Sequence, residues 1–68
     1  MRIEGDKIVL PPSNSSKVID IYDISGKVIQ SETLSGEQTS YYLPQHKGIL
    51  TIKIEFDNKV EVLKHIRK

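Results

Sequence analysis

The sequence predicts an all-β protein, a small antiparallel sandwich or barrel of about five to six short strands without a substantial helix. Two observations lead to this prediction. Apolar and polar residues alternate with a period of two along most of the chain, which is typical of half-buried strands. Turn-forming residues (Pro, Gly, Ser, Asn and Asp) recur every few positions between these segments. No stretch carries a helical period over a useful length.

The predicted strands follow one another with short connections. Pro11 and Pro12 have no backbone N–H, so the chain must leave the sheet or lie at its edge where they occur. Gly26 lies in the turn 23–27, at a position where a positive φ is expected. The segment 44–48 is predicted to be a loop. The strand segments are 7–10, 17–23, 27–34, 38–43, 50–56 and 60–66.

The closing hairpin has the clearest pattern in the chain. Asp57-Asn58 is a two-residue connection of residue types that tolerate a positive φ, which favours a type I′ turn. Lys64 interrupts an apolar series on the returning strand. One face of the first strand is predicted to lie in the core, and its residues are Leu50, Ile52, Ile54 and Phe56. The apolar series after the turn consists of Val60, Val62 and Ile66.

Composition limits the classes of function. The chain has 68 residues, which is enough for one domain at most. It contains no Cys, and its formal net charge of +1 is too balanced to indicate nucleic-acid binding. No apolar run has the length of a membrane helix, and the first residues lack the apolar segment of a signal peptide. We therefore expect a protein that stays inside the cell or a piece of a longer protein, and the second is favoured.

No catalytic constellation is apparent. His46 and His65 have no second ligand at metal spacing, so neither a metal nor a cofactor is expected. Ser25-Gly26-Lys27 superficially matches the end of a phosphate-binding loop, but the upstream glycine and the following helix pattern are missing. An enzyme is not predicted. The basic end, 64–68, has two interpretations: charges that protect an exposed strand edge from pairing, or a recognition tag.

The segment "IDIYDISGKVIQ", residues 19–30, resembles the hairpin of the type A C-terminal sorting domains of the type IX secretion system. That family's pattern is apolar-x-apolar-Tyr-Asp-x-x-Gly-Lys/Arg-x-apolar. The matching residues are Ile19, Ile21, Tyr22, Asp23, Gly26, Lys27 and Ile29. Further family features follow in the same order: Leu43, Lys47-Gly48, the alternating segment 50–55, Asn58-Lys59-Val60 and the basic end 64–68.

The resemblance covers residues 6–68 and has two departures. The family's Lys-Gly-x-Tyr has Leu50 in place of the aromatic residue, which leaves a smaller side chain in the sheet. The family's Tyr-Pro-Asn-Pro element before the first strand is absent, so the partner of the first strand is left open. These departures indicate a truncated fragment or a divergent member.

The resemblance implies a function without chemistry of its own. Residues 1–68 would be a single sorting domain with an immunoglobulin-like sandwich of about six to seven short strands, belonging to a larger secreted cargo protein. Such domains direct the upstream cargo from the periplasm across the outer membrane, by docking to the translocation machinery. For many cargoes a surface sortase then removes the domain. The expected location is the periplasm in transit, then the cell surface or the medium.

Under this hypothesis, a sheet edge and the basic terminal strand form the docking surface, with Lys64, Arg67 and Lys68 as the recognition residues. If the first strand is truncated, an open edge is also expected to allow pairing with a second copy. The alternative is an immunoglobulin-like accessory module that binds carbohydrate or protein, with Tyr22, Tyr41 and Tyr42 as an aromatic platform. The motif residues expected to act structurally are Tyr22, Asp23, Gly26, Lys27, Lys47 and Gly48.

Overall fold

The computed structural model describes residues 1–45 and 47–67, with the side chain of Arg67 outside the description. Seven strands lie in this part of the chain, and no helix does. Their bounds are β1 (Arg2–Glu4), β2 (Lys7–Val9), β3 (Lys17–Tyr22), β4 (Val28–Leu34), β5 (Ser40–Tyr42), β6 (Gly48–Phe56) and β7 (Lys59–Arg67).

The strands form two antiparallel sheets. The smaller sheet has the order β1-β2-β5, and the larger has the order β4-β3-β6-β7. In the larger sheet, Ile19 lies opposite Ile54 and Ile21 opposite Ile52, so the inward-facing residues of β3 and β6 are in register. The prediction of an all-β fold with antiparallel sheets is confirmed.

One apolar core joins the two sheets. Ile8, Leu10, Tyr41 and Leu43 contribute to it from β2, β5 and the residues that follow them. The buried residues of the larger sheet in this cluster are Ile19, Ile21, Leu34, Leu50, Ile52 and Ile54. Period-two alternation makes this possible because it gives each strand one apolar face. The molecule is therefore a two-layer β-sandwich.

The predicted closing hairpin is confirmed, and its register is unbroken from Phe56↔Lys59 to Gly48↔Arg67. Asp57 and Asn58 both have positive φ, 48° and 61°, as a type I′ turn requires. Leu50, Ile52 and Ile54 are fully buried, whereas Phe56 is half-buried against the core.

The beginning of the chain differs from the prediction. Residues 2–4 form β1, which was not predicted, and β1 and β5 flank the short strand β2 on its two sides. The strand predicted over 38–43 shortens to Ser40–Tyr42. Three-residue strands are hard to predict because they hold too few residues for alternation to be recognised.

A buried lysine fixes the base of the β3–β4 hairpin. Lys17 is completely buried, and its Nζ donates hydrogen bonds to the carbonyl oxygens of Gly36 and Gln38, at 2.7 and 2.6 Å. Burial lowers the pKa of Lys17, and the nearby charge of Asp57 opposes this change. The loop 11–16 and the turn 35–39 also meet here, because the Ser13 N–H donates to the Gly36 carbonyl. We call this contact region the loop junction.

Candidate recognition surface

The closing strand β7 lies at an open edge of the larger sheet. It pairs with β6 along all nine of its residues, and no strand of the described ranges pairs with its other side. The Asp57-Asn58 turn has two residues, so Phe56 and Lys59 close it as a hydrogen-bonded pair, in which each residue donates its N–H to the carbonyl of the other. Alternate residues of β7 must then point their N–H and C=O groups away from β6. These residues are Val60, Val62, Lys64 and Ile66.

The same four residues place their side chains on the outer face of the sandwich. Val60, Val62 and Ile66 are 58, 61 and 65% exposed. Across the ladder, Val60 lies opposite Glu55 and Val62 opposite Lys53, both residues of the outer face of β6. β7 thus presents an apolar series and its free backbone groups to solvent together. We call this combination the β7 edge.

The three predicted recognition residues are described to different extents. Lys64 is exposed on the outer face, opposite Thr51 of β6. Arg67 is the last residue of β7 and pairs with Gly48, but its side chain lies outside the description. Lys68 lies outside the described residues. The structure therefore places the backbone of residues 64–67 on the sheet edge, with the Lys64 side chain presented to solvent.

Two lysines of the outer face, Lys53 and Lys64, differ in whether an acidic residue of the same chain neutralises their charge. The Lys53 Nζ lies 3.0 Å from the Glu55 Oε1, and the hydrogen bond and charge of that carboxylate raise the pKa of Lys53. Lys64 has no ion-pair partner within 1–45 and 47–67. Lys64 is therefore available to an acidic group on a partner.

Asp23, a residue of the family motif, organises the β3–β4 turn. Its Oδ1 accepts hydrogen bonds from the Ser25 N–H at 2.9 Å, the Ser25 Oγ at 2.6 Å and the Lys27 N–H at 3.0 Å. The Asp23 N–H donates to the Lys27 carbonyl, and the Gly26 N–H donates to the Asp23 carbonyl. Gly26 has φ of 89°, as predicted, which explains the need for glycine there. The motif thus encodes a closed turn.

The other motif residues lie apart from this turn. Tyr22 is half-buried on the outer face, opposite Thr51 of β6. Lys27 and Lys47 are exposed, and Gly48 begins β6 with φ of 108°. Lys27 takes part in the turn through its backbone, which leaves its ammonium group unconstrained by that contact.

The three tyrosines of the alternative hypothesis do not form one platform. Tyr41 is buried in the core, where its hydroxyl accepts a hydrogen bond from Gln30 Nε2, and burial raises its pKa. Tyr42 is 71% exposed, but it belongs to the smaller sheet. Tyr22 lies on the outer face of the larger sheet. Tyr41 therefore packs in the core and is not presented to a ligand.

Residues 1–45 and 47–67 contain no cluster of three or more His, Cys, Asp and Glu residues able to hold a metal ion. In the same ranges, no helix is long and apolar enough to span a membrane. Comparisons of the chain with protein-family models, with curated proteins and with solved structures find no match.

Proposed function

We propose that this chain is a C-terminal sorting domain, which directs an upstream cargo across the outer membrane through the type IX secretion system. The observation that carries the proposal is the β7 edge, because the hypothesis makes a sheet edge and the basic terminal strand the docking surface. An open edge offers backbone donors and acceptors for strand addition, and Lys64 adds a charge without an internal partner in the described part of the chain.

The closed turn around Asp23 gives the proposal secondary support. The Tyr-Asp-x-x-Gly-Lys motif carries the resemblance, and its Asp and Gly have distinct structural roles in this turn. These residues hold the hairpin that packs beside β6, and β6 in turn pairs with β7. In the proposal, the motif supports the surface and the last strand supplies it.

The test is an export assay with a folded passenger that carries a signal peptide and is fused upstream of Met1. In a host that possesses the system, the intact domain is expected to deliver the passenger outside the cell. Deletion of residues 64–68 is expected to leave the passenger in the periplasm. The triple variant Lys64→Ala, Arg67→Ala, Lys68→Ala tests charge while keeping the strand.

The matched control is Lys59→Ala, which removes a lysine from the other end of β7. It is expected to export normally, and circular dichroism of each isolated variant checks folding. Retention of the intact fusion in the periplasm would reject the proposed function. Normal export after the deletion would reject the role of the basic end alone.

A further inference from the structure

The edges of the two sheets differ in how well they are protected from pairing. β1 and β5 have only three residues each, and short edge strands offer little to pair with. β4 is longer, but its ladder with β3 has a register shift between Ile21 and Tyr22, and such bulges disturb an edge. β7 has nine residues and an unbroken ladder. It is the edge among the described strands best suited to accept another strand.

We propose that β7 pairs with β7 of a second copy, antiparallel about a two-fold axis at Leu63, to form a continuous eight-stranded sheet across the dimer. This inference does not depend on the proposed function, but both use the β7 edge, so the dimer must dissociate before that edge can accept a strand of another protein. In this register, Val60 faces Ile66 of the partner copy and Val62 faces Lys64. On the inner face, Glu61 faces His65, which brings a carboxylate opposite an imidazole; the Glu61 Oε2 also lies 3.7 Å from the N-terminal amine of Met1, so the two groups would share this carboxylate.

Alternative registers are less favourable. The residues with outward N–H and C=O groups can pair only with the same kind of residue in the partner copy. One strand can therefore shift along the other only by two residues at a time. One step in one direction gains Glu61 opposite Arg67 but places Lys64 opposite Lys64 at the centre of the pair, whereas the like-charged Lys59–Arg67 pairs of the Leu63-centred register lie at its ends. One step in the other direction shortens the ladder and places Glu61 opposite Leu63. The Leu63-centred register alone uses the whole strand and repeats the Glu61–His65 pair twice.

The second copy is the favoured occupant because β7 is complementary to itself under two-fold rotation. Two-fold rotation repeats each contact, so the Leu63-centred register places Val60 opposite Ile66 twice and Glu61 opposite His65 twice. The ends are its weak point, since Lys59 faces Arg67 there. Apolar contacts and about eight backbone hydrogen bonds lie between these ends.

The dimer is expected to be reversible. Pairing of two edge strands buries less than the roughly 1,200 Å² at which standard protein–protein interfaces begin. The mass measured by analytical ultracentrifugation should therefore rise from monomer towards dimer as the protein concentration rises. A dimer with a dissociation constant of about 1 mM, which corresponds to a binding free energy of about −4 kcal/mol, would be detected at that protein concentration. A mass that stays monomeric up to about 1 mM would overturn the proposal.

Cysteine cross-linking tests the register, because the chain has no cysteine of its own. Leu63→Cys places two thiols directly opposite each other in a non-hydrogen-bonded pair, at a spacing that suits a disulfide. Val60→Cys is the matched control. Val60 is more exposed than Leu63, but it lies opposite Ile66 of the partner copy and far from Val60 of that copy. Leu63→Cys should form the disulfide dimer at least ten times faster, and equal rates would overturn the register.

Proline at Val62 tests the edge itself. The Val62 N–H points away from β6, so Val62→Pro removes a donor to the partner copy and none from the ladder within the monomer. Val62→Pro should sediment as a monomer, while Val62→Thr should retain the dimer. A Val62→Pro protein that still dimerises would overturn the proposal. Should it fail to fold, the Leu63→Cys comparison decides.

Discussion

The two long hairpins of the larger sheet are stabilised in different ways. The β3–β4 hairpin is closed at its turn by Asp23 and fixed at its base by Lys17, so side chains hold both of its ends. The β6–β7 hairpin has a longer unbroken ladder, and its turn is tied to the loop junction by one hydrogen bond of 2.9 Å, from Ser15 Oγ to Asp57 Oδ1. Its outer strand, β7, is an edge of the sheet with an unbroken ladder, whereas the other edge, β4, has a register shift in its ladder with β3.

This difference separates a supporting hairpin from a presenting one. The β3–β4 hairpin provides fixed geometry for β6, since β3 pairs with β6 through five residues. The closing hairpin leaves the N–H and C=O groups of its last strand available for another chain. In strand addition the main-chain groups of an edge provide the affinity, and here the neighbouring strands fix the position of that edge. Changes at the base and at the turn of each hairpin should therefore have different effects.

The largest expected effect is at the base of the first hairpin. Lys17→Met should lower the free energy of unfolding by about 2–3 kcal/mol, because a part-buried, charge-assisted hydrogen bond from Lys17 to the Gln38 carbonyl is lost. The Gly36 carbonyl keeps its bond from the Ser13 N–H, which limits the loss. Urea denaturation of both proteins at neutral pH measures it. Lys53→Met is the control: its ion pair with Glu55 is exposed, so its loss should change the free energy of unfolding much less than Lys17→Met does.

The same variant should change how stability depends on pH. Burial lowers the pKa of Lys17 from 10.5, so the unfolded chain binds more protons than the folded chain between the lowered value and 10.5. Stability contributed by this group therefore rises with pH across that window. The raised pKa of Tyr41 acts in the opposite sense above 10.0, but equally in both proteins. The cost of Lys17→Met should grow as the pH approaches 10.5; a constant or falling cost contradicts the assignment.

The turn of the first hairpin should give an intermediate effect. Asp23→Ala removes the acceptor of three hydrogen bonds and should cost about 1–2 kcal/mol, less than the loss at Lys17 because water reaches the exposed donors. Asp23→Asn keeps an acceptor oxygen and should recover part of the loss. Thermal unfolding of the three proteins checks the order. Equal stability of Asp23→Ala and the parent chain would show that the turn depends on Gly26 alone.

The smallest effect is expected at the closing turn and has the opposite sign. Asn58 has φ of 61°, and Asn58→Gly should stabilise the protein by about 0.5–1 kcal/mol because glycine adopts this conformation without a Cβ penalty. Asn58→Ala should destabilise it. Hydrogen exchange of the β7 amides that bond to β6 reports the effect locally. Faster exchange in Asn58→Gly would contradict the type I′ assignment.

Much of the sandwich could be predicted from alternation. The inward residues of β6 follow it closely, and the two-residue turn follows from the residue types at 57 and 58. The facing of β7 could also have been deduced. A two-residue turn places its closing pair on one face, so Phe56 towards the core sets Lys59 on the same face and Val60 on the other. The exposure of Val60, Val62 and Ile66 could therefore have been predicted from the turn length, although apolar residues taken alone suggest a buried face.

Other features depend on contacts that local patterns do not contain. Lys17 has the same parity as Ile19 and Ile21, which indicates that it faces inward, but its acceptors lie about twenty residues away on a separate turn. The pairing of β1 with β2 depends on a three-residue register. Sequence reasoning identified the segment of the candidate surface. The free side of that segment emerged only from the order of strands in the sheet.

The loop junction has a consequence for which sequences this fold can tolerate. A Cβ on Gly36 would lie 2.5 Å from the Ser13 carbonyl oxygen and 2.6 Å from that of Ser15, whereas Gly26 has no atom within 4 Å of its Cβ position. One glycine is required by lack of space and the other by the sign of φ. A mirror-image alanine would therefore suit Gly26. At Gly36, the turn 35–39 lies too close to the loop 11–16 for any side chain. A substitution of Gly36 therefore requires the loop 11–16 to change its path.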